Sequence, residues 1–335
     1  MPAETEPHDA TWMAWPSKSY TLGDTAADAQ EARSTWAAVA NAIAEFEPVH
    51  MLVPASERAI AEGYLKATVT LHEVELDDAW YRDIGPTFVV GDGGLGGVDW
   101  IFNGWGQQGW AAWEHDALAA PVAIEAADAT AIASTLVNEG GGIHTDGAGT
   151  VLVTETVQRD PYRNEGWSRS EVEAELARTI GARKVIWLPR GLTRDSERFG
   201  TRGHVDIVAT FSAPATVLVH DQRDPEHPDH AVSAALIEIL QASTDADGRP
   251  LNVVRVPAPW ALRDDEGWVD YSYINHYVCN GAVIMCAFDD PADDEAAAIL
   301  AQAYPGREIV RIDARPLFAR GGGIHCITQQ QPKVN

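Results

Sequence analysis

The pentapeptide Gly-Gly-Gly-Ile-His occurs twice in this chain, at residues 140–144 and again at residues 321–325, close to the carboxyl terminus. Three consecutive glycines have no side chains to pack, and they weaken any helix or strand that contains them. We therefore expect both runs to lie where the backbone approaches another group closely. The residue that follows is Thr145 in the first copy and Cys326 in the second. The second copy thus presents a thiol, which is a nucleophile once it is ionised.

Short apolar stretches alternate with amphipathic ones along the chain, which predicts an α/β protein. Strands are predicted near residues 49–53, 69–74, 87–90, 98–102, 150–156, 184–188, 205–211, 216–219, 252–256, 271–279, 282–288 and 308–312. Helices are predicted near residues 29–46, 56–65, 128–137, 170–181, 229–241 and 290–303. Ser170 and Glu173 have the spacing of a capping box, and Ser56 has the character of an N-cap.

Two architectures fit this order of elements. An open doubly wound sheet is the usual arrangement for alternating strands and helices. A closed ring of repeated strand-and-helix modules is favoured by the duplicated pentapeptide. Five modules in 335 residues would contain 67 residues each, which suits three strands and one helix. No stretch resembles a linker or a low-complexity segment.

The net charge of −26 argues against nucleic acid as a partner and favours a cationic small molecule. The three cysteines have no CxxC spacing, so they predict neither a disulfide framework nor a zinc site. The first residues are polar and acidic, and no apolar run reaches about 18 residues, which argues against a signal peptide and against a membrane partner. We expect a soluble protein of the reducing cytoplasm.

Several polar residues stand where they could carry chemistry. Asp83 precedes a predicted strand, and Glu139 precedes the first glycine run. His204 and Asp206 are two apart in a predicted strand, so both side chains should point to one face. Asn275 lies inside a strongly β-forming run. Each of these residues also has an interpretation without function. Asp83 could be a turn residue paired with Arg82, and Glu139 a surface carboxylate. His204 and Asp206 could face solvent, and Asn275 could be a hydrogen-bonded amide in an edge strand.

Other histidines are predicted to have structural roles. His220, His227 and His230 invite a metal-binding interpretation, but Pro225 and Pro228 interrupt any regular ligand spacing. We therefore predict a solvated loop there and no metal site. His144 and His325, which follow the two glycine runs, are expected to orient backbone rather than to react.

Together the candidate residues fit one task. A guanidinium is planar and cationic, and carboxylates are its natural partners. Asp83 and Asp206 can grip such a group while the Cys326 thiolate attacks its central carbon. His204 can protonate the departing nitrogen and later deprotonate a water molecule. This chemistry requires no metal and no cofactor.

Six segments resemble the agmatine deiminase family, which is related to bacterial peptidylarginine deiminases and belongs to the guanidino-group-modifying enzymes. The segments are residues 80–89, 102–106, 139–144, 187–192, 203–206 and 321–332, and the last of them is the most specific. The resemblance extends from about Thr11 to the carboxyl terminus. It implies a five-bladed α/β propeller with its site on a pseudo-fivefold axis, and a single domain over residues 1–335. It also implies conversion of agmatine to N-carbamoylputrescine and ammonia in polyamine biosynthesis.

The resemblance also implies roles for individual residues. Cys326 matches the nucleophile, His204 the general acid and base, and Asp83 and Asp206 the carboxylates that bind the guanidinium. Glu139 matches the residue that orients the histidine. Further matches at the substrate are Trp80, the aromatic wall of the substrate tail, Asn275, a polar site residue, and Gly323 in the terminal glycine run.

The sequence departs from the family pattern at residues 195–202, where Arg202 adds a cation, at Gln107-Gln108, and at residues 164–167. We expect these regions to touch the substrate tail rather than the guanidinium. The alternatives are a deiminase of another guanidino substrate such as peptidyl-arginine, an amidinotransferase, or a propeller that only binds. The expected partner is a cationic guanidino small molecule, and a homodimer is left open.

Overall fold

The computed structural model describes residues 1–334, which form a mixed α/β fold. The strands are β1 (His8–Ala14), β2 (Val49–Val53), β3 (Thr70–Glu73), β4 (Thr87–Gly91), β5 (Gly94–Ile101), β6 (Thr130–Val137), β7 (Ile143–Thr145), β8 (Thr150–Thr154), β9 (Lys184–Leu188), β10 (Ala209–Ala213), β11 (Thr216–Asp221), β12 (Asn252–Pro257), β13 (Arg263–Asp264), β14 (Gly267–Trp268), β15 (Tyr277–Cys279), β16 (Ala282–Ala287), β17 (Glu308–Asp313) and β18 (Gln329–Pro332).

The longer helices connect parallel strands, and the shorter ones lie in the loops. The helices are α1 (Ser19–Leu22), α2 (Ala26–Ile43), α3 (Arg58–Tyr64), α4 (Tyr81–Ile84), α5 (Gly104–Gln107), α6 (Ala119–Ala126), α7 (Glu155–Gln158), α8 (Pro161–Asn164), α9 (Arg169–Ile180), α10 (Asp229–Ala242), α11 (Asp293–Ala303) and α12 (Arg315–Phe318). Across the described residues, none of these helices is both long and apolar enough to cross a membrane.

One strand pattern is repeated in five sheets. Four sheets have the orders β4-β5-β6, β7-β8-β9, β10-β11-β12 and β15-β16-β17, and the fifth has the order β18-β1-β2-β3. In each sheet the first pair is antiparallel and the second pair is parallel. A parallel pair needs a crossover connection, and α2, α6, α9, α10 and α11 supply one long helix for each sheet. This repetition confirms the five-module prediction over the open doubly wound sheet.

The two ends of the chain close the ring. β18 pairs antiparallel with β1, and Trp12 lies opposite Gln329 in the register. The Trp12 indole also donates a hydrogen bond to the Gln331 side chain at 2.8 Å. The second glycine run, which lies just before β18, is therefore held against a sheet that begins at the amino terminus.

The helix predicted near residues 128–137 is wrong. Those residues form β6, which pairs in parallel with β5, while the connecting helix is α6, farther back along the chain. Alanines are common to both stretches and favour a helix, whereas Thr130, Ile132 and Val137 are β-branched and favour a strand. Pairing with β5 decides that this stretch is a strand and not a helix.

The cap of α9 is displaced from its prediction. Ser168, not Ser170, is the N-cap, and its capping box is completed by Glu171 rather than Glu173. The helix ends as predicted at Gly181, which has the left-handed conformation that glycine adopts readily. Ser56 does not cap α3, whose N-cap is Glu57 without a side-chain hydrogen bond.

Candidate active site

Each of the five sheets contributes to one site through the segment that precedes its first antiparallel strand. Asp83 comes before β4, Glu139 before β7, His204 and Asp206 before β10, Asn275 before β15, and Cys326 before β18. These five equivalent segments therefore bring together residues that are far apart in sequence. All of these side chains are buried.

Cys326 lies in a short 3₁₀ turn and is 3% exposed. Its sulfur accepts a hydrogen bond from the Asn275 Nδ2 at 3.2 Å and lies 3.6 Å from the Asp206 Oδ2. Burial raises the pKa of the Cys326 thiol well above its usual value, and the nearby Asp206 and Asp83 carboxylates raise it further. The thiol is therefore neutral in the empty site and needs a nearby positive charge to ionise.

The two aspartates are held differently, Asp83 through both carboxylate oxygens and Asp206 through one. Asp83 accepts hydrogen bonds from the Trp105 indole at 2.9 Å and from the Gly141 N–H at 3.1 Å. The Asp206 Oδ2 accepts from the His325 Nδ1 at 2.7 Å. The other oxygen of Asp206, Oδ1, is buried and has no hydrogen-bond partner among the described residues. A buried, unpaired carboxylate oxygen is costly unless a ligand completes its bonding.

His204 is held between two carboxylates. Its Nε2 lies 3.2 Å from the Glu139 Oε2, and its Nδ1 lies 3.7 Å from the Asp83 Oδ1. Nδ1 has no hydrogen-bond partner among the described residues. Glu139 is in turn fixed by the Arg163 Nε, which lies 3.0 Å from both carboxylate oxygens. The Arg163 Nη1 also donates a hydrogen bond to the Asp160 Oδ2 at 2.8 Å. Buried charged residues, bonded one to the next, therefore hold the His204 imidazole in place.

The charges of this cluster shift its pKa values in opposite directions. Burial alone would lower the pKa of His204, but the charge of Asp83 and the hydrogen bond that the ring donates to Glu139 raise it to about 9. Burial raises the pKa of Asp83 to about 6, against the charge of His204. Burial would also raise the pKa of Asp206, but the hydrogen bond and charge of His325 bring it below its usual value. At neutral pH the site thus contains an imidazolium beside carboxylates.

Both glycine runs lie where the sequence predicted a close approach. A Cβ atom on Gly141 would stand 2.6 Å from the His204 Nδ1, 2.9 Å from the Asp83 Oδ1 and 3.0 Å from the Asp206 Oδ2. In the second run, a Cβ on Gly322 would stand 3.0 Å from the Cys326 sulfur. Only glycine lets the backbone pass this close to the reacting groups.

Gly323, the third glycine of the second run, also meets the site. A Cβ there would stand 2.4 Å from the Asn275 Oδ1. The same Asn275 oxygen accepts the His325 N–H at 3.1 Å, which ties the terminal run to the turn before β15. The backbone of Gly323 therefore keeps the Asn275 amide beside the Cys326 sulfur.

Aromatic side chains form the mouth of the pocket. A cleft with about 220 Å³ of empty space is lined by Tyr20, Trp80, Asp83, Trp105, Phe199, Thr201, Gly321 and Cys326. The Tyr20 and Phe199 rings stack at a centroid distance of 4.2 Å, and the Trp80 indole donates to the Tyr20 hydroxyl at 2.9 Å. Four of the eight lining residues are therefore aromatic, and Asp83 supplies a carboxylate beside Cys326.

The local structure of three predicted residues differs from expectation. Residues 205–207 form a 3₁₀ turn with His204 at its N-cap, and the strand begins only at Ala209. His204 and Asp206 still enter the same pocket, but a turn rather than a strand face brings them there. Asn275 likewise precedes its strand, which begins at Tyr277.

The loop of three histidines is not a solvated one throughout. His220 and His227 are buried, and they bond the Ser272 hydroxyl at 3.1 Å and the Val269 carbonyl at 3.0 Å. His230 alone is exposed, as predicted. Within residues 1–334 the only group with the proximity of metal ligands is Glu4, His144 and His325, on the far side of Asp206 from the cleft.

The two histidines that follow the glycine runs differ in what they bond. His144 accepts the backbone N–H of Phe211 at 3.2 Å, so it does orient backbone as expected. His325 instead bonds two carboxylates, Asp206 and Glu4, which the sequence interpretation missed. The pentapeptide repeat marked both positions without distinguishing them.

Other residues of the site were not assigned roles from the sequence. Arg163, which fixes Glu139, is the clearest, because a lone arginine in a polar segment gives no signal of burial. Tyr20 and Phe199 are also new, and they come from stretches with no catalytic pattern. Arg202 pairs with Asp160 at 2.7 Å instead of facing the cleft. The added cation is therefore neutralised within the supporting charge chain.

Comparisons with known proteins agree over the whole length. The family model of Porphyromonas-type peptidyl-arginine deiminases matches residues 1–332. A provisionally named agmatine deiminase of Streptomyces coelicolor is 58% identical over 336 residues, covering 100% of this chain and 99% of the relative. The agmatine deiminase of Stutzerimonas stutzeri is 40% identical, covering 99% and 95%. The solved agmatine deiminase of Enterococcus faecalis is 32% identical with a TM-score of 0.92, covering 99% of this chain and 95% of that one.

Proposed function

We propose that this chain, which belongs to the Porphyromonas-type peptidyl-arginine deiminase family and to its agmatine deiminases, hydrolyses the guanidino group of agmatine. The products are N-carbamoylputrescine and ammonia. The observation that carries the proposal is a pair of buried atoms that have no hydrogen-bond partner among residues 1–334, the Asp206 Oδ1 and the His204 Nδ1. Both residues belong to the buried cluster around Cys326, whose sulfur lies 3.6 Å from the Asp206 Oδ2. A planar cation with N–H donors supplies what the carboxylate oxygen lacks.

Binding of the cation prepares the nucleophile. The Cys326 thiol is neutral in the empty site, where burial and two carboxylates oppose its ionisation. A guanidinium held by Asp83 and Asp206 offsets those negative charges. At about 4 Å and an effective dielectric constant of about 20, one unit charge contributes on the order of 4 kcal/mol before desolvation. Each pKa unit corresponds to ~1.4 kcal/mol, so the bound substrate can lower the thiol pKa by several units.

The first half-reaction releases ammonia. The Cys326 thiolate attacks the central carbon of the guanidinium, which forms a neutral tetrahedral species. The His204 imidazolium donates its Nδ1 proton to one amino nitrogen, and that nitrogen leaves as ammonia. A cationic thiouronium remains bound to the sulfur, and His204 is now neutral. Its position between Asp83 and Glu139 keeps the ring oriented toward the departing nitrogen.

The second half-reaction uses water at the vacated position. His204 accepts one proton of the water while the oxygen attacks the thiouronium carbon. Collapse of the tetrahedral species expels the thiolate and leaves the ureido product, and the second proton passes to the released ammonia. The imidazolium and the Cys326 thiolate are thereby restored, and after product leaves the thiolate takes back from solvent the proton that the thiol released when the cation bound. Glu139, whose pKa is about 2 because Arg163 outweighs its burial, stays ionised beside the ring throughout.

The tail of the substrate is proposed to extend along the aromatic mouth. Trp80 walls the cleft on one side, and the stacked Tyr20 and Phe199 rings narrow it. An unbranched butylamine chain fits such a slot, whereas the backbone on either side of a peptidyl arginine would meet these rings. The negative net charge of −26 further favours a substrate with a second positive charge at its tail.

A substrate panel tests the proposal. Agmatine, arginine, a peptidyl arginine and guanidinobutyrate are each incubated with the enzyme, and the ureido product and ammonia are quantified. We expect agmatine to have the highest kcat/KM. A preference for the peptidyl substrate would overturn the assignment of the tail, and transfer of the amidino group to an added amine would make the protein an amidinotransferase.

Cysteine variants test the nucleophile in the same assay. Cys326→Ala is expected to abolish turnover, whereas Cys286→Ser and Cys279→Ser, on buried strands, should change stability only. A haloacetamidine adduct mapped by mass spectrometry should lie on Cys326. An adduct on Cys279 or Cys286 together with loss of activity would refute the assignment.

A further inference from the structure

His325, the last residue of the second pentapeptide, lies between the carboxylates of Asp206 and Glu4. The proposed reaction gives no role to this arrangement. Its Nδ1 is 2.7 Å from the Asp206 Oδ2, and its Nε2 is 2.9 Å from the Glu4 Oε2. The ring is 4% exposed, so water does not intervene at either nitrogen. The residue next in the chain is the proposed nucleophile, Cys326.

The geometry specifies how many protons the ring carries. Ionised carboxylates only accept hydrogen bonds, and a neutral imidazole has one donor and one acceptor nitrogen. Bonding to a carboxylate at both nitrogens is satisfied only when both nitrogens are protonated. A neutral ring would place a lone pair against one carboxylate at under 3 Å.

We propose that His325 is a cationic positioning residue, held as an imidazolium between Glu4 and Asp206, which fixes the orientation of the Asp206 carboxylate and leaves its Oδ1 available to a bound cation. The inference deepens the proposed function, on which it rests for the identity of the cation that Asp206 binds. His325 does not touch the substrate. It acts through Asp206, whose Oδ2 it occupies and whose Oδ1 it leaves unpaired.

Glu4 is itself anchored, so it can hold the ring from behind. Its Oε1 accepts the backbone N–H of Val278 at 2.8 Å, and its Oε2 lies 3.3 Å from the Arg82 Nη2. Glu4 is 7% exposed although it belongs to the acidic start of the chain. A residue from the amino terminus thereby supports the charged form of the positioning residue His325.

The groups around the ring agree with a cation at this position. Asp206 and Glu4 favour the charged form, whereas the nearby Arg82 guanidinium and the burial of the ring oppose it. The balance raises the pKa of His325 above its usual value. His144, at a centroid distance of 6.1 Å, has its pKa lowered to about 3 by burial and stays neutral.

A metal ion on Glu4, His144 and His325 is the competing interpretation of this cluster. Their ligand atoms lie within 4.8 Å of one another. The His325 nitrogens, however, already bond the two carboxylates, and both nitrogens of His144 bond Thr210 and Phe211. Arg82 adds a positive charge beside Glu4, which disfavours a second cation. We therefore assign the proton rather than a metal.

Nitrogen NMR of the substrate-free enzyme tests the proposal directly. The protein is labelled with ¹⁵N-histidine, and the ring of His325 is assigned through its own backbone resonances. We expect both ring nitrogens to remain protonated at about pH 8, well above the ordinary histidine pKa of about 6.5. One unprotonated ring nitrogen at that pH, or a shift on addition of zinc with loss of the proton signals, would overturn the assignment. This measurement needs no variant and no substrate.

Glu4→Gln then separates charge from packing. The amide has nearly the same shape and can donate to the Nε2, so a neutral ring with its proton on Nδ1 becomes stable. We expect the His325 ring to lose one proton at neutral pH in this variant. The matched control is His144→Gln, which alters the same buried cluster without touching Asp206 and should leave the His325 signals unchanged. Retention of the doubly protonated ring in Glu4→Gln would refute the role of Glu4.

Agmatine affinity measured by calorimetry in a Cys326→Ala background connects the ring to binding. The Asp206 pKa is lowered by His325, so the binding form of Asp206 is lost as pH falls. Removing the imidazolium charge raises the pKa of Asp206. As pH is lowered, agmatine affinity should therefore begin to fall at a higher pH in Glu4→Gln than in the parent. Below both pKa values the two affinities should differ by about tenfold for each unit by which the Asp206 pKa has risen. An unchanged pH dependence would refute the positioning role. Absence of agmatine binding in the parent would refute the proposed function while leaving the NMR result to stand.

Discussion

At the scale of the residue, two neighbouring groups of the site, His204 and Asp83, both have raised pKa values, but for different physical reasons. His204 is pushed toward its charged form by Asp83 and Glu139, while burial pushes Asp83 toward its neutral form. Their interaction makes the two titrations properties of the cluster rather than of single residues. The active form has Asp83 ionised and His204 protonated, so it exists only between the two pKa values.

The pH profile is a direct consequence. Ionised Asp83 is lost as pH falls through about 6, and protonated His204 is lost as pH rises through about 9, so kcat/KM should be bell-shaped between these limits. Glu139→Gln removes a carboxylate from His204 and should move the alkaline limb to lower pH more than the acid limb. The exposed Glu165→Gln is the control and should leave both limbs in place. An alkaline limb that does not move in Glu139→Gln would contradict the assignment.

Gly141 carries the second prediction at this scale. Gly141→Ala would insert a methyl group between His204, Asp83 and Asp206, with contacts as short as 2.6 Å. Displacement of these groups by a fraction of an ångström to 1 Å should lower kcat/KM by roughly 100-fold. Thermal unfolding should show that the fold is retained. Gly63→Ala, where nothing lies within 4 Å, is the matched control and should keep full activity.

At the scale of the element, the strands matter less than the segments just before them. Five junctions, each ending at an antiparallel strand, project side chains toward one centre. Short 3₁₀ turns at Val205–Ile207, Gly140–Gly142 and His325–Ile327 place the functional residues there. A turn of this kind is tighter than an α-helix, so adjacent residues can diverge to different partners. His325 and Cys326 do so, the first toward Glu4 and the second toward the cleft.

The α9 capping box provides an element-scale prediction. The Ser168 hydroxyl accepts the Glu171 N–H, and the Glu171 carboxylate accepts the Ser168 N–H. Ser168→Ala should therefore lower the free energy of unfolding by about 1 kcal/mol. Ser170→Ala, inside the helix, should change it by a few tenths at most. Urea denaturation of both variants compares them, and a larger loss for Ser170 would place the cap where the sequence alone suggested it.

At the scale of the whole molecule, the chain forms a ring closed by its two ends. β18 pairs with β1. The Arg82 guanidinium bonds the side chains of Glu4, Gln329 and Gln330, which come from the two ends of the chain. Cys326 lies three residues before β18, so the position of the nucleophile depends on closure. The single domain over residues 1–335, the homodimer and the cytoplasmic location stay predictions.

Independence from metal is the prediction that belongs to the whole enzyme. Every proposed step is assigned to a side chain or to water. Among residues 1–334, the one cluster with the proximity of metal ligands already bonds other protein groups. Activity on agmatine should therefore survive dialysis against a strong chelator. The control is the same dialysis with zinc or manganese added back. Loss of activity that either metal restores would contradict the assignment.

Much of the fold was readable from periodicity, because buried strands and amphipathic helices leave local patterns. Residues 49–53 and 184–188 match β2 and β9 residue for residue. The stretch at residues 128–137 was misassigned because its alanines fit a helix, and its pairing with β5 is a long-range event that no local pattern reports. The strand predicted at residues 205–211 begins only at Ala209. The short turn before it has no periodic pattern that a sequence could reveal.

The sequence by itself supplied the residue types on which the proposed chemistry rests. The two glycine runs, the thiol of Cys326 and the polar pair His204 and Asp206 predict that chemistry, because few other tasks require these residue types together. Only the tertiary structure decided how they act: that Arg163 fixes Glu139, that Glu4 reaches His325, and that one oxygen of Asp206 remains free. Those relations join residues up to 321 positions apart. Their strength depends on burial and distance, which exist only once the ring is closed.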